Sequence, residues 1–263
     1  MAGGWEATPS TPHTPHPSLA RAGSTGTVIV LTTPDAQRTM LSYAGTSRVV
    51  APPPACRVLV VEGYLFCEQR AEAIVGAIRA ARAAGAVVAL TCADASVVSA
   101  QEEGFRAALG AGVDLLFANA SEAELLAGAA GMSAAAAAAA LAADCGVAVV
   151  TDGSRGAHVA ASGLALAVPP HWAPSRPVDT CGAGDGFAAG LLYGLLRGAP
   201  LELAATVGAR TASAVICRSG ARLSVDDAAV LAGEFSSLVP VQAHSTARML
   251  ELGAGVSSLQ RQM

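Results

Sequence analysis

The sequence predicts an α/β fold: a mostly parallel sheet with helices on both faces. Three observations carry this reading. Short β-branched runs recur at 57–61 (RVLVV), 86–90 (AVVAL), 114–118 (DLLFA) and 147–151 (VAVVT). Helical segments lie between them, and strand–helix–strand units of this spacing imply a parallel sheet. Finally, 52% of the 263 residues are hydrophobic but only 4% aromatic, so the core must rest on Ala, Val and Leu. That length gives one large or two small domains.

In chain order, residues 1–25 are rich in Pro, Thr, Ser and His, lack periodicity, and read as a disordered low-complexity tail. TVIVL at 27–31 is a strand, with RTMLSY at 38–43 its partner after the turn signal TPDA. APPPAC at 51–56 connects this pair to the first of the four runs. Three helical stretches follow: CEQRAEAIVGAIRAARAAG, which Gly85 ends, then SVVSAQEEGFRAALGAG, then SEAELLAG with an alanine-rich helix starting near Ser133. AHVA and LALAV form a short antiparallel tail to the sheet. Two or three further helices reach about residue 235. The main domain therefore spans 26–240, with a polar tail at 241–263.

Charge and composition exclude several functions. Net charge is −4 and no basic stripe exists, which argues against nucleic acid as a partner. No run of about 18 apolar residues offers a membrane span. The six cysteines are scattered without a Cys-x-x-Cys pair, the pattern of reduced thiols in a cytoplasmic protein. Organelle targeting finds weak support in an N-terminus poor in acids. All sixteen basic residues are arginine. Without a lysine, neither a Walker-type phosphate loop nor a Schiff-base enzyme can be built.

Ligands of a parallel sheet sit beyond the carboxyl ends of its strands, and here those ends are polar. After DLLFA comes Asn119-Ala-Ser-Glu122, an amide and a carboxylate at a helix start, which is also the pattern of a capping box. After VAVVT, Thr151-Asp-Gly153-Ser-Arg-Gly156 sets two glycines three apart, suited to a backbone that approaches a ligand or to a plain hairpin turn. The strongest stretch is DTCGAGD at 179–185, immediately before a helix whose Phe187, Leu191 and Leu195 recur every fourth residue. The first N–H groups of a helix lack intrahelical partners and its dipole favours negative charge there. The small residues Gly182, Ala183 and Gly184 leave those N–H groups free to close around a phosphoryl oxygen. Asp185, in the first turn, can take a proton from an attacking alcohol or simply complement the dipole. Gly184-Asp-Gly186-Phe-Ala-Ala189 also fits a dinucleotide fingerprint, but Pro174 and Pro177 preclude the buried strand which that motif requires.

D-T-C-G-A-G-D closely resembles the D-T-x-G-A-G-D signature of the ribokinase-like (PfkB) carbohydrate kinases, and other features resemble the adenosine-kinase-like branch. Asn119-x-x-Glu122 is similar to that family's N-x-x-E motif, and Thr151-x-Gly153-x-x-Gly156 to its nucleotide loop. Gly220-Ala221-Arg222 resembles the segment closing the adenine side, and Glu62-Gly63-Tyr64 resembles the adenosine-kinase-like branch. The resemblance implies a ribokinase-like fold. It also implies transfer of the ATP γ-phosphate to a hydroxymethyl group of a sugar or nucleoside, by a monomer or homodimer. By the same resemblance Asp185 is the base and Gly182, Ala183 and Gly184 form the anion hole. Thr151, Gly153, Gly156, Gly220 and Ala221 line ATP. Asn119 and Glu122 organise Mg²⁺, and Asp179 and Thr180 match positions that help hold a monovalent cation such as K⁺.

Members of that family begin with a longer segment carrying the first sheet strands and a glycine-rich sugar-binding signature. Low-complexity sequence stands in its place here. The expectation is therefore an N-terminally truncated domain with a small lid partly or wholly missing and an unpaired sheet edge. A catalytically impaired nucleotide-binding relic or regulatory paralogue is the alternative.

Overall fold

A computed structural model of the chain describes residues 23–24, 26–32, 38–45 and 55–238. The expectations for the two tails and for the TPDA turn fall almost wholly outside the described residues. Strand β1 (Thr27–Thr32) pairs antiparallel with β2 (Arg38–Tyr43) in a separate two-stranded sheet. The main sheet has six strands in sequence order: β3 (Val58–Glu62), β4 (Val87–Thr91), β5 (Leu115–Asn119), β6 (Val147–Thr151), β7 (Ala157–Ala161) and β8 (Leu164–Val168). The first four run parallel, and β7 and β8 turn back antiparallel.

Strands β3, β4 and β5 sit one residue later than the apolar runs suggest. The polar residue following each of these runs joins the strand and pairs, Glu62 with Thr91 and Asn119 with Thr151. The shift makes those polar groups the last residues of their strands, on one rim.

Side chains alternate across this sheet and are buried on both sides, as in parallel sheets covered by helices. Val88, Leu90, Leu116, Ala118, Ala148 and Val150 enter one core, with Ile78, Phe105, Leu126 and Leu141. The helices supplying that core are α2 (Ala71–Ala83), α4 (Glu102–Gly112), α5 (Ala120–Ala127) and α6 (Ala134–Leu141), together with the short α1 (Leu65–Glu68) and α3 (Ala95–Ala100). Val87, Ala89, Leu115, Phe117 and Val149 enter the other core. There they meet Phe187, Leu191 and Leu195 of α7 (Ala183–Leu196) and Ala204 and Ala205 of α8 (Leu201–Val215). Helix α9 (Val225–Leu238) packs outside α8 through Leu231 and Phe235.

Two expected helices are each broken in two. The stretch from Cys67 breaks at Gln69 and Arg70, which adopt extended backbone angles (ψ 154° and 137°). The next breaks at Gln101, the C-cap of α3 and N-cap of α4. Ser133 caps α6 as expected, its hydroxyl accepting from the Ala136 N–H. Strand β3 is one of the two edges of the main sheet, and Val60 on it is half exposed.

Helices α7 and α8 approach closely because small residues face one another. A side-chain carbon added at Gly190 would lie 2.5 Å from Thr211 Oγ1 and 2.8 Å from the Val207 carbonyl oxygen. Overpacking of this kind costs about 1–3 kcal/mol. By contrast, Gly76 in α2 is exposed with nothing within 4 Å. Gly190→Ala should therefore lower the urea midpoint, whereas Gly76→Ala should raise stability by about 0.5–1 kcal/mol. Equal effects at the two positions would show that α7 and α8 are not packed as described.

Candidate active site

The rim at the carboxyl ends of β3 to β6 gathers Glu62, Thr91, Asn119 and Thr151. Asn119 starts α5 and forms a full capping box with Glu122. Its N–H donates to Glu122 Oε2 (2.8 Å) and its amide Nδ2 to Oε1 (2.7 Å). The Glu122 N–H donates in return to Asn119 Oδ1 (2.9 Å). The capping reading of these residues is thus realised. It leaves a carboxylate only 5% exposed and fixed at the rim. Burial pushes the Glu122 carboxyl above its ordinary value; the Asn119 N–H works against this and the Asp94 charge adds to it.

The loop after β6 closes on itself, the Asp152 N–H donating to the Gly156 carbonyl oxygen (2.7 Å), with Arg155 paired to Asp152. Gly156 has φ +97° and lies against the Val168 carbonyl, so only glycine fits. Thr151 hydrogen-bonds weakly back to the Ala118 carbonyl (3.5 Å). Gly153 faces open space.

Helix α7 opens on the rim. Gly182, its N-cap, is left-handed at φ +76°, and a side-chain carbon there would fall 2.6 Å from the Ala221 carbonyl oxygen. The Ala183 N–H closes a turn onto the Thr180 carbonyl (3.2 Å), and the Gly186 N–H reaches Gly182 (2.7 Å). Between them, the N–H groups of Gly184 and Asp185 have no acceptor among the described residues. Both residues are exposed, and an added carbon at Gly184 would meet nothing within 4 Å. The mouth is therefore open. Asp179 lies behind it, 7% exposed, with Oδ1 accepting the Cys181 N–H and Oδ2 the Gly220 N–H, each at 2.9 Å. Residues 179–185 and 220–221 thus form one unit around the start of α7.

Glu62 links this unit to the rim. The Tyr64 N–H donates to its Oε2 (2.9 Å), and the charges of Asp185 and Glu122 both act on it. The structure therefore brings the 119–122 box, the 151–156 loop and the mouth of α7 to one edge of one sheet. In the sequence Glu62 stands out only through the family-branch resemblance of Glu62-Gly63-Tyr64. Its signal was present: like Asn119 and Thr151, it is the polar last residue of an apolar strand. Ala93, with φ +71° after β4, carries no such signal, because nothing in an alanine announces a left-handed backbone. Asp94 caps α3 through the Ser96 N–H (2.7 Å) and completes the acidic rim.

Glu62 supplies a pH prediction. Glu62 stands exposed on the rim; partial desolvation first, then Asp185 and Glu122, raise its pKa from 4.5 to about 6, against the lowering effect of the Tyr64 N–H. Its protonated form therefore favours the folded state fully below about pH 4.5. That contribution is lost as pH rises through about 6. Glu62→Gln should gain stability over the native chain as pH rises through that window, read from urea midpoints. Parallel pH profiles for the two proteins would show that Glu62 is fully solvated.

Comparison with known proteins fits this geometry. The family described as pfkB family carbohydrate kinase matches residues 18–228. The adenosine kinase from Sinorhizobium meliloti is 32% identical, with a TM-score of 0.73 over 80% of this chain and 66% of that one. A probable sugar kinase from Rhizobium etli CFN 42 is also 32% identical, with a TM-score of 0.70 over 79% of this chain and 66% of that one. The Anopheles gambiae adenosine kinase in complex with P1,P4-di(adenosine-5) tetraphosphate shares the fold at 24% identity, TM-score 0.65, covering 76% and 65% of the two chains. This chain thus spans just under two thirds of the length of these structures. No curated protein matches it. Among the described residues no helix is long and apolar enough to cross a membrane.

Proposed function

This chain belongs to the pfkB family of carbohydrate kinases, and on that premise we propose that it moves the γ-phosphate of ATP to a hydroxymethyl group of a sugar or nucleoside. The observation that carries the proposal is the open mouth of α7, with two N–H groups that have no acceptor among the described residues and the Asp185 carboxylate beside them. Identity of 32% to an adenosine kinase and to a probable sugar kinase supports both acceptor classes.

In this reading the N–H groups of Gly184 and Asp185, in the small-residue turn Gly182-Ala183-Gly184, hold the phosphoryl oxygens. Preorganised donors of this kind stabilise charge as it develops in the transition state. Asp185 accepts the proton of the acceptor hydroxyl as its oxygen attacks phosphorus. Thr151, Gly153 and Gly156 line the nucleotide on one side and Gly220 and Ala221 on the other.

Mg²⁺ fits the donor set through water. Among the described residues no three His, Cys, Asp or Glu side chains assemble as a metal centre, while Glu122 offers a fixed carboxylate at the rim. Mg²⁺ commonly keeps several waters and binds through one or two carboxylates plus substrate phosphates. Asn119 and Glu122 would hold it there, and the ion supplies neutralisation of phosphate charge. A monovalent cation beside Asp179 and Thr180 would share Asp179 oxygens that each already accept one N–H.

Asp185→Asn should leave ATP binding by calorimetry unchanged while lowering kcat with adenosine or ribose as acceptor by about 10²–10⁴-fold, the range for general-base loss. Full activity in that variant would reduce Asp185 to a partner of the helix dipole. ATP binding without turnover in the native chain would instead favour the nucleotide-binding relic.

A further inference from the structure

Asp179 is the most deeply buried carboxylate near the mouth after Glu122, and capping does not explain it. It belongs to no helix, and its two oxygens serve two separate segments. Oδ1 accepts from Cys181, two residues on, and Oδ2 from Gly220, forty-one residues on. Two further bonds join the same segments, since the N–H groups of Val178 and Asp179 both donate to the Ile216 carbonyl (2.8 and 3.2 Å). A third tie is steric: Gly182 lies directly against the backbone of Ala221.

Electrostatics sharpens the question. A buried negative charge behind a phosphate-gripping mouth works against the anion. Two N–H donors offset part of that charge, and charge-assisted bonds are the stronger and shorter kind. What these two bonds contribute is geometry: they join residues 179–181 to Gly220.

We propose that Asp179 is a positioning residue, a clamp that holds the segment after α8 against the start of α7 and so fixes the N–H groups of Gly184 and Asp185 in their phosphate-binding arrangement. The clamp couples the two sides of the nucleotide site. Gly220 and Ala221 cannot shift without moving Cys181 and Gly182, four and three residues before Asp185. The inference rests on the kinase reading above, and its test separates the two.

The full chain is compared with Asp179→Asn and Asp179→Ala. Asparagine keeps the volume but turns one acceptor into a donor facing an N–H, breaking one tie; alanine breaks both. Amide hydrogen exchange should quicken at Cys181 and Gly220 in both variants and stay unchanged in the sheet. With ATP, and adenosine or ribose as acceptor, kcat should fall in steps from native to Asn to Ala, reaching about 10²-fold, the loss expected when reacting groups are misplaced by about 1 Å. ATP-binding stoichiometry should stay at one per chain, which a merely destabilised protein would not maintain. The proposal is overturned if kcat is unchanged, if its loss only tracks lost binding stoichiometry, or if added K⁺ restores it, which would make Asp179 a cation ligand. Should the native chain bind ATP yet phosphorylate neither acceptor, the kinase reading loses its support for these acceptors. The clamp must then still show as weakened ATP affinity in both variants, and unchanged affinity would refute it.

Discussion

Two N–H groups at the start of α7 are the constraint around which the rest of the site is arranged. Helix-terminal donors are strong anion ligands only if no side chain or carbonyl claims them first. Among the described residues Gly184 and Asp185 meet that condition, since the turn bonds at Ala183 and Gly186 bracket them without consuming them. In a chain without a single lysine, these donors would, on the proposed reading, take the place of the point charge in a Walker loop. Their direction is set by the helix axis, and that axis is fixed along its whole length. Phe187, Leu191 and Leu195 press on the sheet, while Gly190 and Gly194 let α8 close in from the other side.

The opposite wall of the site is acidic. Glu62, Asp94 and Glu122 stand at or just beyond strand ends, and the charges of Asp94 and Asp185 raise their neighbours' pKa values. Glu122 spends its two oxygens on Asn119, and Glu62 holds the Tyr64 N–H. A rim of this sign would repel the phosphates of the proposed nucleotide. The charge balance improves when a divalent cation travels with the nucleotide, which is the physical reason the proposed Mg²⁺ belongs between the two walls.

Much of this was legible in the sequence because the pattern of a parallel sheet is stark. The four apolar runs, the alanine-rich helix from Ser133 and the hairpin AHVA/LALAV appear in the structure nearly where the residues put them. DTCGAGD marked the candidate site for another reason: small residues beside a helix start have few structural uses. The breaks at Gln69–Arg70 and at Gln101 were not legible, since glutamine and arginine are good helix formers and only tertiary packing turns the chain there. Nor was the Asp179 clamp. A bond between residues forty-one apart leaves no local trace, and the nearby Pro-rich run 169–177 hides how the chain returns to the sheet. Glu62 was visible in type but not in importance, because one acid at the end of an edge strand looks like any solvent-facing terminus.

The 119–122 box also shows why structural and functional readings of one residue need not compete. A capping box uses one lone-pair direction on each carboxylate oxygen and leaves the other free. In a parallel sheet each strand must turn into its following helix at the carboxyl rim, so the residue that caps the helix is delivered to the place where ligands sit. The cap then fixes the carboxylate's rotamer before any ligand arrives, which removes ordering cost from binding. Asp179 follows the same logic without a helix to cap. Its oxygens are used by backbone donors, and its value lies in what those donors can no longer do. Rigidity at the rim is thus made from polar groups of the candidate site itself, and a chain low in aromatic residues has few other means of making it.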